Sequence, residues 1–202
     1  MEKMKKVLKE ALCEISPSSK ELAEIKKMLH EFLPNLKKRV GADVFVGGSF
    51  AKGTLIKKER YDIDIFVRFE SGEELSERVA RALKGLVDYE VLKGSRDYFR
   101  VRASEKIYFE IVPVKKISRP SQAENVTDLS YFHVKYLKKK IKSKKVLDQI
   151  KLAKAFCYAN GCYGAESYIK GFSGYSVMAR CFSYCMSLII IDDPFQPKLS
   201  VF

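Results

Sequence analysis

Asp62 and Asp64 sit one residue apart inside the apolar run DIDIFVRF, shortly after the turn Gly47-Gly48-Ser49. Alternation over that length predicts a strand. Residues two apart in a strand share a face, so both carboxylates project together, about 6.5 Å apart along the backbone. Carboxylates in a cleft repel, by roughly 1 kcal/mol at ~4 Å in water and by more once partly desolvated, so the pair calls for a compensating cation. Divalent metal held by oxygen ligands answers that need. Two ions ~3.5–4 Å apart activate a nucleophilic oxygen and grip a phosphate chain. A third acid is expected on a neighbouring strand, and Glu110 in YFEIVPV interrupts an apolar strand as the aspartates do.

The glycine-serine turn supplies the complementary part. Glycines let backbone amides approach an anion, the helix that follows adds its positive dipole, and the Ser49 hydroxyl can bind a phosphate oxygen. Taken singly, two aspartates on a strand are more often a solvated edge, and such a turn more often only a turn. Their order along the chain, turn then paired acids then third acid, points to phosphoryl transfer by positioning and charge neutralisation.

The rest of the chain frames this stretch. MEKMKKVLKEALCEI and KELAEIKKMLHEFLPNLKKRV read as two helices broken at Pro17, with Ser18 or Ser19 as cap and Leu22, Ile25, Leu29 and Phe32 as the buried stripe. DVFVGG and DIDIFVRF read as strands, GEELSERVARALKGL as a helix, and DYEVLKG, DYFRVRA and IYFEIVPV as three more strands, the last ending at Pro113. From Asp128 onward the pattern is mostly helical. The 38 basic against 25 acidic residues give a net charge of +13, the field of a protein that meets a polyanion. Lys135, Lys138, Lys139, Lys140, Lys142, Lys144 and Lys145 read equally as a solvated face or as a track for an RNA backbone, and Tyr131, Phe132 and Tyr136 as packing residues or stacking platforms. Five cysteines without CxxC spacing, and only His30 and His133 beside them, argue for reduced thiols in the cytoplasm rather than a zinc site. No early apolar run resembles a signal peptide, and Cys181 to Ile191 is too short to span a membrane.

GSFAKGT followed by DIDIF and a third acid resembles the signature of the DNA polymerase β-like nucleotidyltransferases. The likeness to the archaeal, class I CCA-adding enzymes continues through EIVPV, DLSYFHVKYL, LAKAFCYANGCYGAE and KGFSGY, over roughly residues 20 to 175. The resemblance implies an α+β fold, a mixed sheet with flanking helices, in a catalytic domain over 1–127. A smaller helical domain over 128–202 completes the nucleotide site. It implies a nucleotidyltransferase that adds CMP or AMP from CTP or ATP to an RNA 3′ end, the tRNA CCA end first of all, with Mg²⁺ in a two-metal site. Asp62, Asp64 and Glu110 are then the catalytic metal ligands, with Gly48, Ser49 and Lys52 near the phosphates. Ser130, His133, Lys154 and Tyr163 reach the triphosphate or sugar. Two departures stand out: the third acid is glutamate where aspartate is commoner, and the chain is expected to be a shortened form without the family's tRNA-binding body and tail. Its ending, DDPFQPK, is similar to a later family segment, with Lys198 as the basic residue. The alternatives are a minimal transferase acting on another RNA or a small molecule, and a degenerate relative that binds RNA or nucleotide without turnover. A homo-oligomer stays open, as does a partner chain that would supply the body and tail.

Overall fold

A computed structural model describes residues 2–70, 74–94, 96–164 and 170–185. The predicted ending with Lys198, and Ala165 and Glu166 at the end of LAKAFCYANGCYGAE, lie outside the described residues. Two helices lead, α1 (Glu2–Ile15) and α2 (Ser19–Val40). Ser18 caps α2 through a capping box: its hydroxyl accepts from the Glu21 N–H at 3.2 Å, and the Glu21 carboxylate accepts from the Ser18 N–H at 2.8 Å. The same carboxylate accepts from the Tyr61 hydroxyl at 2.9 Å, which pins the helix start to the strand carrying the aspartates. Ile25, Leu29 and Leu36 are buried along α2, with Leu22 and Phe32 partly so, close to the predicted stripe.

The sheet has five strands: β1 (Asp43–Val46), β2 (Tyr61–Phe69), β3 (Tyr89–Leu92), β4 (Tyr98–Arg102) and β5 (Ile107–Lys115). Their order is β1-β2-β5-β4-β3, with β2 and β5 parallel and the other neighbours antiparallel. A one-turn helix, α3 (Gly48–Ala51), follows β1, and α4 (Leu75–Leu83) follows β2. Alternation sorts the strands into two faces. Tyr61, Ile63, Ile65, Val67 and Phe69 of β2, with Ile107, Phe109 and Ile111 of β5, join Phe99 and Val101 of β4 and the apolar stripes of α2 and α4 in one core. The opposite face carries Asp62 and Asp64 on β2 and Glu110 on β5. This is the α+β architecture that the sequence implied.

Pro113 does not end β5. The strand continues to Lys115, with Pro113 opposite Val67 of β2. On its other side β5 pairs with β4 only from Tyr108 to Ile111, so Pro113 lies where β5 has become an edge and its missing N–H leaves no β4 carbonyl unpaired.

The chain divides into two compact units, Met1–Lys140 and Ile141–Phe202. Helix α5 (Ser130–Lys140) belongs to the first. Tyr131 explains its attachment, since the Arg68 guanidinium lies 3.8 Å from its ring centroid and Phe45 meets it edge-on at 5.3 Å. Tyr131 is therefore a packing residue.

Just before α5, Asp128 is 2% exposed. It accepts from the N–H groups of Lys115 at 2.8 Å, Glu124 at 3.2 Å and Asn125 at 3.0 Å, and pairs with both Arg96 terminal nitrogens. Burial pushes this carboxyl up, but Arg96 and the backbone donors outweigh it and hold it below its ordinary range. Its stabilising effect is therefore present at neutral pH and lost as pH falls through the acid range. Asp128→Asn is expected to destabilise the fold by about 2–3 kcal/mol at pH 7, read as the midpoint of urea unfolding, because Arg96 stays behind with a neutral partner.

The second unit contains α6 (Lys144–Ala159) and α7 (Gly174–Cys185), which pack on each other. Between them Tyr163 and Phe172 form a single β-bridge.

Candidate active site

Register on three adjacent strands builds the site. Parallel pairing of β2 with β5 sets Asp64 opposite Glu110 and Asp62 opposite Tyr108. Antiparallel pairing of β5 with β4 sets Glu110 opposite Arg100. Asp64, Glu110 and Arg100 thus stand in a row across the sheet, with Asp62 one pleat along, and all four are half-buried.

The turn before α3 closes on this row. Gly47 donates its N–H to the Asp64 carbonyl at 2.9 Å. Gly48, with φ of 57°, lies so close to the Asp64 side chain that a Cβ there would sit 1.6 Å from Oδ2. Only glycine brings the backbone this near a carboxylate at that φ. The predicted helix is a single turn, so the turn's contribution is close backbone approach rather than a helix dipole. Ser49 is the next residue, and Lys52 completes the turn. Burial pushes the Lys52 ammonium below its ordinary value while the Asp64 charge opposes that shift, which makes Lys52 the resident counter-charge of Asp64.

Charge crowding shows in Asp64 itself. Burial and then Glu110 push its carboxyl up to about 6, with Lys52 pulling it down and Asp62 adding a smaller upward push. Glu110 is engaged differently, accepting from Arg100 Nη2 at 2.8 Å. That hydrogen bond raises the Arg100 guanidinium above its ordinary value, with burial opposing it and Asp62 reinforcing it. Among the described residues no three Asp, Glu, His or Cys side chains are gathered into a metal cage. The donor set nevertheless fits a hard divalent cation: the oxygens of Asp62 and Asp64 share a face, and Asp64 bears a repulsion that a cation would relieve.

The remaining predicted residues fall into two groups. Ser130 and His133 are half-buried, one turn apart on α5, and α5 packs against α3. Lys154 and Tyr163 come together in the second unit: Lys154 is 3% exposed, and its ammonium lies 5.7 Å from the Tyr163 ring centroid. The Tyr163 hydroxyl abuts Gly174, where a Cβ would meet it at 2.6 Å. Lys135, Lys138, Lys139, Lys140, Lys142, Lys144 and Lys145 are all exposed, and Lys144 pairs with Asp148 at 2.7 Å. Sequence reasoning missed Arg100. Its one signal was the alternation YFRVR, which reads by itself as an ordinary solvated strand face.

Comparison with known proteins adds the family context. Residues 25–170 match the nucleotidyltransferase domain family. The chain is similar to the CCA-adding enzymes of Nanoarchaeum equitans, 43% identical over 165 residues, and Archaeoglobus fulgidus, 32% identical over 177 residues. Those matches cover 79% and 86% of this chain but 41% and 39% of the enzymes, so the chain spans about two fifths of the length of these relatives. Among solved structures, a cytoplasmic RNA terminal U-transferase superposes with a TM-score of 0.67 at 17% identity, over 88% of this chain and 52% of that one. The Cid1 poly(U) polymerase bound to MgATP gives 0.68 at 17% identity, over 87% and 54%. These two likenesses establish the fold. No helix among the described residues is long and apolar enough to cross a membrane.

Proposed function

The chain belongs to the nucleotidyltransferase family, and from that premise we propose that it transfers CMP or AMP from CTP or ATP to an RNA 3′ hydroxyl, the tRNA CCA end being the first substrate. The observation that carries this reading is the register of Asp64 with Glu110, next to Asp62 and under the Gly48 backbone. In the reaction the 3′ oxygen attacks the α-phosphorus of the triphosphate, the new P–O bond forms, the bond to the β-phosphate oxygen breaks, and pyrophosphate leaves. Asp62 and Asp64, with Glu110 as third ligand, would hold Mg²⁺, which when bound supplies Lewis-acid neutralisation of the phosphate charge. One of these carboxylates accepts the proton of the attacking hydroxyl. Ser49 and the adjacent backbone amides orient phosphate oxygens, while Lys52 offsets part of the cost of charge on Asp64. Ser130 and His133 on α5, and the Lys154–Tyr163 pair of the second unit, are assigned to the triphosphate and sugar. The similarity to CCA-adding enzymes of two genera supports CTP, ATP and tRNA as substrates.

The test is incorporation of α-labelled CTP and ATP, separately and together, into a tRNA transcript lacking its CCA end, with Mg²⁺ and with an Asp62→Ala/Asp64→Ala control. Ordered addition of two C residues and one A is the expected result. Metal-dependent incorporation without that order moves the assignment to a minimal transferase with another acceptor. No incorporation into any acceptor, alongside retained nucleotide binding, would identify a binding protein without turnover.

A further inference from the structure

We propose that Arg100 is a positioning residue that competes with a divalent cation for Glu110 and so sets how tightly the nucleotide-free protein holds its metal. The inference rests on the reading of Asp62, Asp64 and Glu110 as metal ligands.

The ion pairs of this chain differ in construction. Asp128 is fully buried, takes both terminal nitrogens of Arg96 and accepts three backbone N–H bonds besides, as a permanent structural pair does. Arg68 is 8% exposed, bonded to Asp43 at 2.9 Å and covered by the Tyr131 ring. The Arg100–Glu110 pair has neither arrangement. A single bond of 2.8 Å joins Nη2 to Oε1, the two side chains are 34% and 18% exposed, and Arg100 Nε is buried with no hydrogen-bond partner. A guanidinium forks naturally onto both oxygens of a carboxylate, so one bond with Nε unspent is an incomplete grip. Arg100 also lies within electrostatic reach of Asp62.

Placement gives this weak pair a consequence. Register fixes Arg100 beside Glu110 and Glu110 beside Asp64, so one side chain faces two suitors on neighbouring strands. The lone pair that accepts from Nη2 is not available to a metal ion, and the guanidinium charge repels a cation approaching the same row. Metal capture by the third carboxylate therefore either displaces the bond from Nη2 or uses the lone pairs that Arg100 leaves open, against the guanidinium charge. Removing the guanidinium lifts both the competition and the repulsion, and both changes favour the metal.

The experiment measures Mn²⁺ binding to the full chain without nucleotide, from the electron paramagnetic resonance signal of free Mn²⁺. Arg100→Gln is expected to bind Mn²⁺ about tenfold more tightly than wild type. Most of the gain should be lost in the Glu110→Gln background, because the competition acts through that carboxylate and only the lifted repulsion remains. Arg100→Met, close to the native volume, serves if the glutamine variant fails to fold, with circular dichroism as the check. Unchanged or weaker binding in either charge-removing variant overturns the proposal, as does the same gain in the Glu110→Gln background. Asp62→Asn/Asp64→Asn separates this from the site assignment. If that variant binds Mn²⁺ as wild type does, the metal reading falls and the role of Arg100 with it. If it loses binding while Arg100→Gln changes nothing, only the role of Arg100 falls.

Discussion

Asp64→Asn is expected to lower nucleotide incorporation by at least ~10³-fold, the several kcal/mol that a correctly held metal contributes to a phosphoryl transition state, while making the metal-free protein more stable at neutral pH. The two halves of that expectation have one cause. Asp64 lies in a row with Glu110 and one pleat from Asp62, and its carboxyl is pushed from 3.8 up to about 6. The fold thus favours the protonated form, and the folded chain binds more protons than the unfolded one between those values. Stability accordingly falls as pH climbs through that window, and the loss is complete at neutral pH. Solvent reaches part of the carboxylate, so the loss is taken as about 2 kcal/mol. Asparagine cannot ionise and escapes it. In chelator at pH 7.5 the variant should melt higher than wild type, by several degrees, and the two should converge below pH 4. Adding Mg²⁺ should close the gap from the other side, because a metal that binds only the native wild-type site stabilises it by mass action. A variant that loses activity but melts lower in chelator at pH 7.5 would show that Asp64 is a structural carboxylate.

How far the sequence foretold this site follows from what one strand can say alone. Alternation within DIDIFVRF placed Asp62 and Asp64 on one face, and the same alternation in IYFEIVPV singled out Glu110, since strand parity is local information. A cap at Ser18 or Ser19 was legible because a serine just ahead of a helical stripe is local information, and Ser18 is the one that caps, with Glu21 three residues on. Arg100 was not, because its meaning comes from β4 lying beside β5 in one register, a choice made by the whole sheet. Pro113 misled for a related reason. Proline is excluded only where a neighbouring strand needs its N–H, and nothing in IYFEIVPV says that β4 stops pairing at Ile111. Tyr131 was ambiguous between packing and stacking until Arg68, distant in sequence, was seen beneath its ring. Local periodicity thus found the three carboxylates, while non-local pairing supplied the arginine that bonds one of them.

Gly48→Ala is the second substitution with a large expected effect, and Gly41 provides its control. Both glycines are left-handed, with φ of 57° at Gly48 and 62° at Gly41, so alanine at either position meets a similar backbone penalty of roughly 1–2 kcal/mol. Their surroundings differ completely. A Cβ at Gly41, the cap of α2, would meet nothing within 4 Å. At Gly48 it would lie 1.6 Å from Asp64 Oδ2 and 2.5 Å from Cγ, so either the carboxylate or the turn from Gly47 to Thr54 must move. Moving the carboxylate breaks its alignment with Asp62 and Glu110. Moving the turn withdraws Ser49 and the backbone amides from the row and strains the bond from the Gly47 N–H to the Asp64 carbonyl. Displacements of about 1 Å at a reacting centre lower turnover by ~10²-fold, so Gly48→Ala should lose incorporation by that factor or more, on top of a stability loss of about 2–3 kcal/mol. Gly41→Ala should lose only the backbone part and keep turnover within about twofold of wild type at a temperature where both variants are folded. Equal activity in the two variants would mean that the turn does not position Asp64. Collapse of turnover in Gly48→Ala alone would tie the reaction to the approach of that backbone to that carboxylate, separately from any general weakening of the fold.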